Sequence, residues 1–176
     1  MNLGEFMENL NNRSIRFSKP IPEGEGKYLT FSLAGEDYGI GILKIKEIIG
    51  MMPITKIPRF SDHLKGVINL RGKVIPITDL GLAFGMAERS CTDRTCIIIV
   101  EMVQADRTAL VGILVDSVSE VLNIKGEEIE EAPVFCAKEE KGPILGLAKV
   151  SGGIKILLNL DGVLKMEKME EWEEAA

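Results

Sequence analysis

One histidine, three cysteines and several acidic pairs are the residues of this 176-residue chain from which catalysis or metal binding could be built. His63 follows Ser61 and Asp62, the residue types of a hydrolytic triad. Neighbours in sequence cannot be arrayed as nucleophile, base and orienting carboxylate without distant help, so the cluster reads as a surface turn. Cys91, Cys96 and Cys136 lack the spacing of a zinc or redox motif, and their odd number fits reduced thiols better than a disulfide framework. Gly39-x-Gly41 is too short for a dinucleotide fingerprint, and no glycine-rich phosphate cradle ending in Lys-Ser or Lys-Thr occurs. Glu127-Glu128 and Glu130-Glu131 belong to an acidic run of the kind that forms a solvated face. No catalytic residue, metal ligand set or cofactor is assigned, and the chain reads as a recognition protein, not an enzyme.

The recognition chemistry centres on Arg71. A guanidinium grips a carboxylate through two parallel hydrogen bonds. The carboxylate could be internal, with Glu47 the candidate, or belong to a partner. Arg71 lies at the middle of residues 66–80, where two β-branched runs of strand length flank Arg71-Gly72 and predict a β-hairpin. Gly72 supplies the positive φ of the turn. Pro76 cannot donate to a ladder and predicts an edge or a bulge.

This stretch recurs without a gap at residues 146–160. Gly66 falls on Gly146, Gly72 on Gly152 and Asp79 on Asn159, while Arg71 meets Ser151. Upstream, Lys46-Glu47-Ile48 matches Ser119-Glu120-Val121 once Val115 and Asp116 are treated as inserted. An internal duplication follows, and with it two similar β-rich lobes. Shared glycines then read as turn geometry, whereas the unshared Arg71 is free to serve function.

The remaining elements fit that scheme. Residues 1–26 read as a mobile leader and residues 27–176 as the folded part. Leu29, Phe31 and Leu33 alternate with Tyr28, Thr30 and Ser32 as a half-buried strand, which returns through Tyr38, Ile40 and Ile42. Gly39 and Gly41 mark a face where a neighbour approaches the backbone. Ile45, Ile48 and Ile49 carry helical spacing for one turn. Asp79 can cap a short helix that ends at Gly85. The apolar run from Cys96 to Met102 predicts a strand covered on both faces, hairpinned to the one from Ala109 to Val115. Residues 125–131 read as an exposed acidic crossing, and Leu160, Val163, Leu164 and Trp172 as a C-terminal helix. A net charge of −6 and 5% aromatic residues argue against nucleic acid and anionic membrane surfaces as partners. No apolar run is long enough to span a bilayer, so a soluble, cytoplasmic protein without direct membrane contact is expected.

The sequence Gly66-Val67-Ile68-Asn69-Leu70-Arg71-Gly72, then Val74-Ile75-Pro76 and Asp79-Leu80, resembles the signature of CheW-like domains. Ile45-Lys46-Glu47-Ile48 resembles the family's upstream element, and Val111 to Asp116 with Val118-Ser119-Glu120-Val121 its downstream one. The resemblance covers residues 27–164. It implies a mainly β fold of two intertwined five-stranded SH3-like barrels with short helices and a C-terminal helix. It implies a chemotaxis coupling protein that joins the cytoplasmic tips of methyl-accepting chemoreceptors to the regulatory domain of the histidine kinase CheA, without catalysis or cofactor. Carried onto this chain, the receptor- and kinase-binding residues are Ile45, Glu47 and Arg71 in the first copy and Ile97, Gly112 and Val121 in the second. Cys96 stands where the family has an aliphatic residue. The alternatives are an adaptor of the same fold serving another kinase or a peptide outside chemotaxis, and an enzyme built around His63.

Overall fold

The computed structural model describes residues 24–58, 63–104, 106–131, 143–151 and 153–165. Most of the leader, Ser61-Asp62, Cys136, Gly152 and the end of the proposed C-terminal helix with Trp172 lie outside the described residues. The chain runs β1 (Gly26–Leu33), β2 (Glu36–Gly41), β3 (Ile45–Gly50), β4 (Leu64–Leu70), β5 (Lys73–Asp79), α1 (Leu80–Ala83), β6 (Cys96–Gln104), β7 (Arg107–Val115), β8 (Ser117–Ile124), β9 (Ile129–Glu130), β10 (Ile144–Val150), β11 (Gly153–Leu158) and α2 (Leu160–Lys165).

The duplication is real, and its two halves exchange strands. One sheet has the order β8-β1-β2-β11-β10-β9 and the other β3-β6-β7-β5-β4. Thus β1 and β2 of the first copy join β8, β10 and β11 of the second, while β3, β4 and β5 join β6 and β7. Each lobe is built from both copies, which is the intertwining that the family resemblance implies. One sheet departs from five strands, because two residues of the acidic crossing pair with β10 as β9. In the other sheet the corresponding place holds a single bridge between Thr55 and Val67.

The registers repeat with the sequence. Leu64 opposes Thr78 and Gly66 opposes Ile77 around a bulge; eighty residues on, Ile144 opposes Leu158 and Gly146 opposes Leu157 around another. Parallel pairing of Ile77 with Gly112 is matched by that of Leu157 with Gly39. Gly39 and Gly112 are therefore equivalent, as are Ile42 and Val115. The copies align there without the insertion of Val115 and Asp116 that the sequence comparison introduced.

Three further expectations are corrected. Ile45, Ile48 and Ile49 lie on a strand, and the helical turn is a 3₁₀ turn just before it, at Ile42–Lys44. A bulge between Ile45 and Glu47 breaks the two-residue period, so the apolar spacing imitates a helix. Gly66 is no turn residue. It sits in the β4 bulge at φ 140°, where a Cβ would run into the Thr55 carbonyl. Strand β1 is buried on both faces from Tyr28 to Phe31.

That double burial reflects two kinds of core. A shared core between the sheets collects Leu29, Phe31 and Ile40 from one and Ile98, Val100 and Ile113 from the other, closed by Leu80 of α1 and Leu160, Val163 and Leu164 of α2. Inside the β3–β7 lobe, Ile68, Ile75, Ile77, Ile97, Ile99 and Leu114 form a second core. Successive residues of β6 thus point into different cores, which is why the Cys96 to Met102 run does not alternate in polarity. Pro76 is tolerated because pairing of β5 with β7 begins only at Ile77. Asp79 caps α1 as expected, accepting the Leu82 N–H at 3.1 Å, and Gly85 follows with φ 79°.

Candidate functional site

Arg71 and Gly72 form the two-residue turn between β4 and β5 with φ values of 49° and 83°. Both positive, they define a tight hairpin turn whose twist matches the strands. Asn69 supports it by accepting the Gly72 N–H on its side-chain oxygen at 2.9 Å. Ala34 and Gly35 hold the same φ values in the β1–β2 turn, so what sets Arg71 apart is its side chain and not its backbone.

That side chain reaches Glu47. Nη1 donates to Oε1 at 3.0 Å and Nη2 to Oε2, a two-pronged ion pair. Glu47 is on β3 and Arg71 follows β4, the two outer strands of the same sheet. The pair therefore ties one edge of the sheet to the other, which requires the sheet to curl. The hydrogen bond from Arg71 holds the Glu47 carboxyl below its ordinary range, outweighing partial desolvation, which acts to raise it. The Arg71 side chain remains 69% exposed. A guanidinium has five N–H donors, and the Glu47 bonds use one from each terminal nitrogen. The others remain for a further carboxylate.

The other candidates fall elsewhere. Ile97 is fully buried and Gly112 lies beside it: a Cβ on Gly112 would strike Ile77 and approach Ile97 Cγ2 at 2.9 Å. Both belong to the inner core of the β3–β7 lobe. Ile45, 8% exposed, and the half-buried Val121 pack on the shared core between the sheets. The structure thus brings together Glu47 with Arg71, and Ile97 with Gly112, but does not gather all six. Glu120, the counterpart of Glu47, is exposed. Its backbone is held instead: the Thr30 hydroxyl donates to its carbonyl at 2.9 Å and accepts its N–H at 3.2 Å.

Sequence reasoning missed Val74. It is 70% exposed, and its counterpart in the second hairpin, Ile154, is 56% exposed. The signal was available, since both copies place an apolar residue at the same position just past the turn. Cys96 is half-buried, and burial pushes its thiol up against a weaker opposing effect of the Val118 backbone, so it is a poor thiolate. His63 uses its carbonyl to accept the Asp79 N–H at 2.8 Å. Among the described residues no group of three or more His, Cys, Asp or Glu could hold a metal ion, and no helix is long and apolar enough to cross a membrane.

Comparison with known proteins agrees with this architecture. The family model described as CheW-like domain matches residues 27–168. The chain is 37% identical over 143 residues to the chemotaxis protein CheW of Klebsiella aerogenes, covering 81% of this chain and 84% of that protein. It is 32% identical to the chemotaxis protein CheW of Bacillus subtilis over 150 residues, 85% and 93% of the two chains. Among solved structures, the scaffolding protein TtCheW from Thermoanaerobacter tengcongensis superimposes with a TM-score of 0.67 at 36% identity, over 77% of this chain and 89% of that one.

Proposed function

Because this chain belongs to the CheW-like domain family, we propose that it is a non-catalytic chemotaxis adaptor that couples chemoreceptor cytoplasmic tips to the regulatory domain of the histidine kinase CheA. The observation that carries the finer reading is the Arg71–Glu47 pair. Arg71 stands where the second copy has Ser151, which lacks the positive φ, and its guanidinium stays open to solvent beyond the internal bond. A guanidinium present in one copy only is not required by the hairpin and is free to serve recognition. Val74, exposed on the same hairpin, adds an apolar contact beside the charge. A mixed patch of this kind suits one face of a partner helix bearing an acidic residue next to an apolar ridge.

Under this reading Glu47 and Arg71 contact the partner directly. Ile45 and Val121 shape the junction between the sheets, while Ile97 and Gly112 hold the lobe that presents β3 and the hairpin. Titration of the protein against a chemoreceptor cytoplasmic fragment and against the isolated CheA regulatory domain tests the assignment. Saturable binding to both is expected for the wild type. Arg71→Glu, which sets two carboxylates against each other, should fold normally and lose at least about tenfold in affinity for one of them. Unchanged affinity of that variant for both partners would remove Arg71 from the interface. Absence of wild-type binding to either partner would move the adaptor to a different kinase or peptide.

A further inference from the structure

The strands pass from one sheet to the other at two places, between β2 and β3 and between β7 and β8, and each crossing is held by charge. At the second, the Asp116 carboxylate receives Arg89 Nε at 2.8 and 3.0 Å on its two oxygens, and one of them also accepts the Ala34 N–H at 2.8 Å. Arg89 Nη2 reaches Asp79 Oδ1 at 3.3 Å, the same oxygen that caps α1. Nη1 donates to the Ala87 carbonyl, also at 3.3 Å. The Asp79 and Arg89 side chains are only 4% and 20% exposed. Gly81 makes room for them, since a Cβ there would collide with the guanidinium. One arginine from the segment between α1 and β6 therefore bonds the end of β5 and the β7–β8 crossing, and the Asp116 it holds in turn bonds the β1–β2 turn of the opposite sheet.

The other crossing is held differently. Lys44, in the 3₁₀ turn before β3, pairs with Asp161 in the first turn of α2 at 2.5 Å, and both side chains are about two-fifths exposed, at 38% and 42%. In the duplication Asp161 is the counterpart of Gly81 and Lys44 that of Ser117. The two crossings are thus tied to equivalent helices by unequal means: a three-residue cluster around the buried Asp79 at one, with Asp116 33% exposed, and a more exposed single pair at the other.

We propose that Arg89 is a positioning residue that fixes the angle between the two sheets by holding Asp79 and Asp116 at once, while the Lys44–Asp161 crossing stays compliant. A lysine could not replace it, because a single ammonium lacks the planar fork that serves two carboxylates. The consequence for binding rests on the adaptor reading above. A partner segment lodged at the junction of the sheets would require that angle to be set in advance, and Arg89 would govern its affinity without touching it.

The direct test measures the angle. Nitroxide labels at Val74→Cys and Ile154→Cys, on exposed hairpin positions of different sheets, would be placed in a chain whose Cys91, Cys96 and Cys136 are replaced by Ala. One narrow distance distribution is expected. Arg89→Gln should broaden it about twofold or more, Arg89→Lys should not restore it, and Lys44→Gln should leave it unchanged. Asp116→Asn, which retains an acceptor for the Ala34 N–H, should broaden it too and serves if Arg89→Gln folds poorly. An unchanged distribution in folded Arg89→Gln or Asp116→Asn overturns the proposal, and a fall in stability alone would not reproduce the broadening. With Arg89→Gln, affinity for a chemoreceptor cytoplasmic fragment should fall about tenfold. Broadening without that loss would sink the junction as the receptor site and leave the clamp standing; loss without broadening would sink the clamp.

Discussion

Arg71 shares its left-handed backbone with Ala34, and what distinguishes it is a side chain that reaches Glu47. Its pairing with Glu47 makes part of the stability depend on pH. A carboxyl held below its ordinary range in the folded state contributes stability that is fully present above that range. The contribution is lost as pH falls through the ordinary glutamate range toward the depressed value. Melting temperatures of wild type and Arg71→Gln should therefore differ most at neutral pH and converge in acid. A gap that stays constant from neutral pH into strong acid would deny the ion pair any role in stability. Sequence alone narrowed the choice for Arg71 to two carboxylates, one internal and one on a partner. Only the curl of the sheet, which brings β3 to the β4–β5 turn, picks Glu47.

Strands and turns carry their own constraints, and Gly112 expresses the tightest. With Ile77 and Ile97 filling the space of its missing side chain, Gly112→Ala should destabilise the fold by about 1–3 kcal/mol in denaturant unfolding, the usual range for overpacking a core. A value near zero would mean that those isoleucines shift freely. Gly66→Ala combines an unfavourable φ with a backbone clash and should cost more than Gly112→Ala, where only side chains stand in the way. By contrast, Val74→Lys should change stability by less than about 0.5 kcal/mol, because the side chain is already in water, yet weaken partner binding. The hairpins were legible in sequence because glycine at a two-residue turn between β-branched runs has few other solutions. Strand β3 was not, because its bulge shifts the apolar residues onto a helical spacing. Gly66 was read as a turn for want of the Thr55 segment, whose approach is a tertiary fact. The Arg89 cluster was invisible for the same reason: Asp79, Arg89 and Asp116 meet only once the sheets exchange strands.

At the scale of the molecule, duplication with strand exchange yields one shared core between two lobes, with two equivalent hairpins that carry different side chains. The first hairpin carries Asn69, Arg71 and an ion pair to β3. The second carries Lys149, bonded to Glu130 of β9 at 2.6 Å, and Ser151 at its turn. On the proposed reading, equivalent places with different chemistry would let one small chain hold two partners at once, which is what coupling demands. The most direct measurement of that claim is the activity of CheA mixed with chemoreceptor-bearing membranes, with and without this protein. Kinase activity is expected to respond to the receptors only when all three components are present, and that response should be lost with Arg71→Glu. Kinase activity that does not change when the protein is added, although it binds both components separately, would contradict a coupling role.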